Sequence, residues 1–184
     1  GPRVTVIKSN LESYLKSSAS DQVEEESSNN TNTNTDNTSN TPNACGNSHV
    51  IYSPLEGKVL PLEEVKDGVF SEGMLGKGAA IEPVSGKVTA PFDGEVTMVF
   101  VTKHAIALTS KDGVEVLIHM GIDTVQLNGK HFDIKVKDGD KVKAGDLLGE
   151  FDMEAIKGEG YRVVTPIVVT NSDSYSEIVT VASN

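Results

Sequence analysis

An all-β sandwich or barrel is the fold the sequence predicts, on three observations. Short Val- and Ile-rich runs recur from His49 onward. Gly, Pro and Asp punctuate them at turn-like intervals. Material with a helical period is scarce. The 184 residues suffice for one ordinary domain and an appendage.

The elements follow in chain order. Residues 1–16, GPRVTVIKSNLESYLK, read as a short strand around Val4 and Val6 followed by a helical turn or two. Ile7, Leu11, Tyr14 and Leu15 share one helix face, and Ser9 or Asn10 can cap it. One strand and one helix bury no core, so this stretch reads as the tail of an upstream domain. Gly1-Pro2 is either native or a cleavage remnant. Residues 17–48 include SSNNTNTNTDNTSNTPN, which has no aliphatic or aromatic side chain and cannot offset the entropy of ordering. A flexible linker is expected, spanning roughly 30 Å as a random coil. The lone cysteine, Cys45, lies in it and excludes an internal disulfide or a Cys-rich metal site.

Residues 49–184 form the expected folded domain. Its strand-like runs are HVIYSP, GKVLPL, AAIEPV, GKVTAP, GEVTMVFV, HAIALTS, VEVLIHMG, FDIKV, DLLGEF and VVTPIVVT. LEEV, MEAIK and SYSEIV are the helix-like exceptions. SPLEGKV and APFDGEV echo each other, and VKDGDKVKAGDLLGEFD reads as a hairpin with two Gly-Asp turns.

Net charge is −11, which argues against a phosphate-backbone partner and is compatible with a basic protein. No run approaches the length of a membrane span, so no direct membrane contact is expected of this segment. No secretory signal is visible.

Two of the four histidines, His104 and His119, stand fifteen residues apart on either side of SKDGV, a turn signal. If Lys111-Asp112 is the loop, the two histidines pair directly. If Asp112-Gly113 is the turn, His119 opposes Ile106 and lies diagonal to His104. Both registers put the imidazoles on one sheet face with Phe100, Thr102, Ile106, Leu108, Glu115 and Leu117. Three chemistries compete for such a pair: a structural contact, a metal site, or nucleophilic transfer. Zinc wants three or four ligands, and no third His or Cys is suitably spaced, although Asp123 could serve. Paired imidazoles suit phosphoryl transfer, where one attacks and the other steadies the developing charge. A backbone carbonyl near Gly121 could hold the attacking tautomer by accepting Nδ1–H.

GKGAAIEPVSGKVTAPFDGEV, TKHAIAL, VEVLIHMGIDTVQLNG and VKDGDKVKAGDLLGEFD resemble the glucose-family enzyme IIA of the bacterial sugar phosphotransferase system, over about residues 49–181. The resemblance implies an antiparallel β-sandwich of flattened-barrel type with short helices. It implies that His119 accepts phosphate on Nε2 from the phosphocarrier HPr, and that His104, bonded to Thr102, supports it. Phe70 and Phe100 then match apolar positions of the docking rim, where Ile106 and Leu117 replace the aromatics of a well-known enterobacterial member. Asp67 and Asp123 match acidic positions that meet a basic residue of HPr. No cofactor is required, and Zn can bind the His pair only with an outside ligand. Members usually add a final strand where this chain stops at VTVASN. Residues 1–16 resemble the end of a IIB domain. The expectation is therefore a phosphoryl carrier at the cytoplasmic face of the bacterial membrane. It would belong to a membrane-anchored permease and pass phosphate to the IIB cysteine. Which sugar is carried is not legible. Three rivals fit less well. A non-catalytic IIA-like regulator of a sugar transporter would keep the His pair. A lysostaphin-like zinc peptidase needs H-x-H, but Gly121 stands two residues after His119. A biotinyl carrier needs a lysine in a tight turn, which is missing.

Overall fold

A computed structural model describes residues 3–6 and 48–180. The helix expected after Ile7, most of the linker and Cys45 lie outside the described residues.

The strands are β1 (Arg3–Val6), β2 (Ser48–Ile51), β3 (Gly57–Pro61), β4 (Lys77–Pro83), β5 (Lys87–Thr89), β6 (Gly94–Val99), β7 (Ala105–Ser110), β8 (Glu115–His119), β9 (Phe132–Ile134), β10 (Lys141–Val142), β11 (Leu147–Phe151), β12 (Thr165–Val169) and β13 (Glu177–Thr180). They form a seven-stranded sheet ordered β10-β6-β7-β8-β12-β4-β3, a small sheet β5-β11-β9, and a sheet β13-β1-β2. Pairing is antiparallel except around β1, which runs parallel to both neighbours. One α-helix is described, α1 (Met153–Gly158), and the Asp152 carboxylate caps it by accepting Ala155 N–H at 3.0 Å. LEEV forms a 3-10 turn, Leu62–Val65.

The main core lies between the large sheet and the small one. Ile81, Val96, Ile106, Leu108, Val116, Ile118 and Ile167 face Val88, Phe132, Leu148 and Phe151 across it. Each such side chain contributes roughly 1.5–3 kcal/mol by leaving water. The opposite face of the large sheet is also covered. Ala80 and Val168 meet Leu62, Val65, Phe70, Ile122 and Val164, with Leu117 partly buried beside them. That double covering explains why all five residues of β12 are buried.

Three expectations are corrected. The hairpin joining β7 to β8 has a three-residue loop, Lys111–Gly113. The Ser110 N–H donates to the Val114 carbonyl at 2.8 Å, and Gly113 adopts φ +86°. Ala105 therefore pairs with His119 and Ile106 with Ile118, a register between the two anticipated. VKDGDKVKAGDLLGEFD is not a hairpin, because β10 pairs with β6 whereas β11 pairs with β5 and β9. Its two turns are alike all the same: Asp140 accepts the Lys137 N–H and Asp146 the Lys143 N–H. SYSEIV is not helical. A 3-10 turn over Ser172–Ser174 precedes β13.

Candidate phosphoryl-transfer site

His119 ends β8 on the covered face of the large sheet, beside Leu117. Its imidazole Nδ1 lies 2.6 Å from the Gly121 carbonyl oxygen. A carbonyl only accepts, so Nδ1 carries the proton and Nε2 presents a bare lone pair. Gly121 makes this geometry possible. It has φ +82°, and a Cβ there would stand 2.5 Å from Thr124 Cγ2 and 2.7 Å from the Arg162 carbonyl oxygen. Those neighbours are fixed: Thr124 Oγ1 donates to the Met120 carbonyl at 2.6 Å, and Ile122 N–H donates to that Arg162 carbonyl at 3.0 Å. Gly121→Ala is expected to lose about 2–4 kcal/mol from strain and overlap, read as a lowered denaturant midpoint.

His104 arrives by a different route. Its backbone carbonyl accepts the Met120 N–H, so strand alternation alone would turn its ring to the core side. The strand stops at Ala105, however, and Lys103 adopts a left-handed φ of 57° in a turn closed by Lys103 N–H to the Phe100 carbonyl. The ring packs 4.8 Å from that of His119, at 79° between planes. Thr102 Oγ1 lies 2.6 Å from its Nδ1. The expected contact between the imidazoles is therefore present, although the hairpin register differs.

Two aromatic rings enclose the pair. Phe70 lies 4.9 Å from His119 and Phe100 lies 5.5 Å from His104. Asp67 places Phe70, its carboxylate accepting the N–H groups of Phe70 at 3.1 Å and Ser71 at 3.0 Å. Burial disfavours its charge, but the N–H groups of Ser71, Phe70 and Val69 outweigh this and hold the carboxyl below its usual range. Asp123, with φ +59°, precedes the 3-10 turn Thr124–Leu127 and makes no side-chain cap bond. Ile106 is corrected: it is fully buried on the opposite, core face and cannot line a docking rim. The sequence reading also missed exposed apolar residues beside the site. Val69 precedes Phe70, Val101 lies between Phe100 and Thr102 with 96% of its surface exposed, and Val125 follows Asp123 and Thr124. An apolar side chain inside a turn, flanked by site residues, was the available signal.

Burial, then the neighbouring His119, push His104 down to about 4. Burial also lowers His119, opposed by its bond to Gly121 and by the charges of Asp67 and Asp123. Both rings are thus neutral at pH 7. The unfolded chain binds the His104 proton more tightly, with a pKa of 6.5. The stability this group contributes is full above that value and is lost progressively as pH drops towards 4. Thermal melts between pH 7 and 4 check this, and His104→Gln removes that share of the slope. No group of three His, Cys, Asp or Glu among the described residues could hold a metal ion, and Asp123 does not complete one with the pair.

A β-sandwich that holds two neutral imidazoles in contact, one tautomer fixed by backbone, defines a small all-β carrier of an electrophilic group. Residues 49–175 match the family described as phosphoenolpyruvate-dependent sugar phosphotransferase system, EIIA 1, and the chain belongs to that family. It is a phosphoryl-carrier domain of a sugar phosphotransferase system. Among curated relatives, the PTS system beta-glucoside-specific EIIBCA component of Bacillus subtilis is 56% identical over 131 residues, covering 71% of this chain and 22% of the relative. That of Dickeya chrysanthemi is 53% identical over 133 residues, covering 72% and 21%. The chain thus spans about a fifth of the length of these relatives. Among solved structures, glucose permease IIA from Mycoplasma capricolum aligns with a TM-score of 0.63 at 40% identity, covering 65% of this chain and 78% of that one.

Proposed function

We propose that His119 Nε2 accepts a phosphoryl group from phospho-HPr and passes it to the cysteine of a IIB domain in the same permease. The carrying observation is the 2.6 Å contact between Nδ1 and the Gly121 carbonyl, which leaves Nε2 as the nucleophile. Its lone pair forms the new P–N bond while the donor's P–N bond breaks and its electrons return to the donor imidazole. Thr102 donates its hydroxyl to His104 Nδ1, and His104 Nε2–H then donates to a phosphoryl oxygen. This role needs the neutral His104 that burial favours. Phe70, Phe100, Leu117 and the exposed valines form an apolar collar that excludes water from the P–N bond, and Asp67 and Asp123 attract a basic partner. The names of the two EIIBCA relatives favour a β-glucoside permease anchored in the membrane with this domain on the cytoplasmic side.

Incubation with phosphoenolpyruvate, enzyme I and HPr tests this reading. One acid-labile phosphoryl group is expected, mapping to the His119 peptide, with NMR coupling to Nε2. Labelling on another residue, or on Nδ1, would overturn it.

A further inference from the structure

The sheet β13-β1-β2 is built from three separated parts of the chain. Within the described residues, β2 and β13 have no ladder partner other than β1. Without it they are two strands held one position apart, roughly 10 Å between their axes. Both are fastened to the body. Ile51 of β2 is buried in the main core and Ile178 of β13 packs against it. The ring of His49 meets that of Tyr175 edge-on at 5.7 Å, tying β2 to the segment before β13. The gap has the shape of a strand-receiving slot, with parallel registers on both sides.

We propose that this slot is a docking site for the chain's own residues 3–6, RVTV, which enter as a parallel strand and clasp the upstream segment to the domain. Three successive β-branched residues, Val4, Thr5 and Val6, suit such a slot. The parallel step from β1 to β2 needs a crossover of a dozen or more residues, and residues 7–47 supply it amply. Loop-closure entropy grows only logarithmically with that length, so cis docking remains favourable over capture of a second copy at ordinary concentrations. The docked strand covers two backbone edges that would otherwise recruit other chains.

The clasp sets reach. While it is docked, anything upstream is tethered at residue 3, against the sheet. Release removes that anchorage. The domain would then travel between a soluble donor and a IIB domain only with the clasp open. That consequence rests on the proposed carrier role, whereas the docking does not.

Two measurements on the full chain test the docking. The first uses Thr5→Cys with Val179→Cys in a Cys45→Ser background. These positions are register partners, at a separation a disulfide tolerates. Mild oxidation of dilute protein is expected to give a cross-linked monomer. A disulfide-linked dimer, or free thiols under conditions that oxidise a model dithiol, would overturn the proposal. The second is hydrogen exchange on Val4→Pro/Thr5→Pro, which removes one donor towards each neighbour. Amides 48–51 and 177–180 should exchange at least tenfold faster, with β7 and β8 unchanged and His119 still phosphorylated. Equal exchange at those amides in both proteins would overturn it. Phosphorylation that fails in both the wild-type chain and the variant would instead count against the carrier reading.

Discussion

On the proposed role, His119→Ala is expected to accept no phosphoryl group from phospho-HPr, with no other histidine taking its place. His104 is the nearest imidazole, but it is only 5% exposed, its Nδ1 is occupied by Thr102, and no carbonyl holds its tautomer for attack. His49 and His131 face carboxylates, Asp112 at 3.6 Å and Glu159 at 2.8 Å, outside the aromatic enclosure. Each thus lacks a bare, shielded nitrogen beside a second imidazole. The expected loss is complete, beyond the roughly 10²–10⁴-fold that an assisting acid or base supplies, because the atom that forms the bond is gone. Intact-protein mass spectrometry reads it directly. A labelled His119→Ala protein would transfer the acceptor role elsewhere.

His104→Gln separates acceptance from delivery. The variant keeps His119, Gly121 and the Nδ1 contact, so it still takes one phosphoryl group. It loses the imidazole that, on the proposed role, steadies charge on the equatorial oxygens as the group leaves. Removing one such donor costs on the order of 10²–10³ in rate, and onward transfer to IIB should fall by that much. Rapid-quench transfer from the phosphorylated variant to a purified IIB domain measures it. Onward transfer at the wild-type rate would leave His104 a merely structural neighbour. Burial makes the neutral form of His104 dominant at pH 7, so the loss should be flat from pH 6 to 8.

The strands were legible because their Val and Ile runs are short and turn residues bound them. Their positions held for nearly every run between His49 and Val169. Register was not legible, and the reason is local. Lys111-Asp112-Gly113 supports a two- or a three-residue loop, and a one-residue slip sends every side chain to the other face. That slip moved Ile106 from an expected rim to the core. The histidine contact survived because His104 lies beyond the strand end, where left-handed Lys103 frees it from alternation. Nothing local signalled that turn, since a lysine there has no intrinsic preference for positive φ. SYSEIV misled for a similar reason. Its helix-like spacing of Tyr175 and Ile178 also suits a turn followed by an edge strand, and packing of Ile178 against the core decided the outcome. The pairing of β1 with β2 and β13 joins residues too far apart in sequence for any spacing rule to reach.

Phe70 and Phe100 also give the site a voice in solution. Aromatic rings 4.9 and 5.5 Å from the two imidazoles impose ring-current shifts on their carbon-bound protons. The His104 and His119 resonances should therefore be displaced from ordinary histidine positions in a simple proton spectrum. Because Asp67 holds Phe70 by backbone N–H groups, those shifts report on the loop over 67–71 as well as on the histidines. A partner that displaces the Phe70 ring would move the His119 signal without touching its nitrogens. A phosphoryl group on Nε2 would change the chemical environment of the whole ring. Docking and chemistry can thus be followed separately, in unlabelled protein, from one pair of lines.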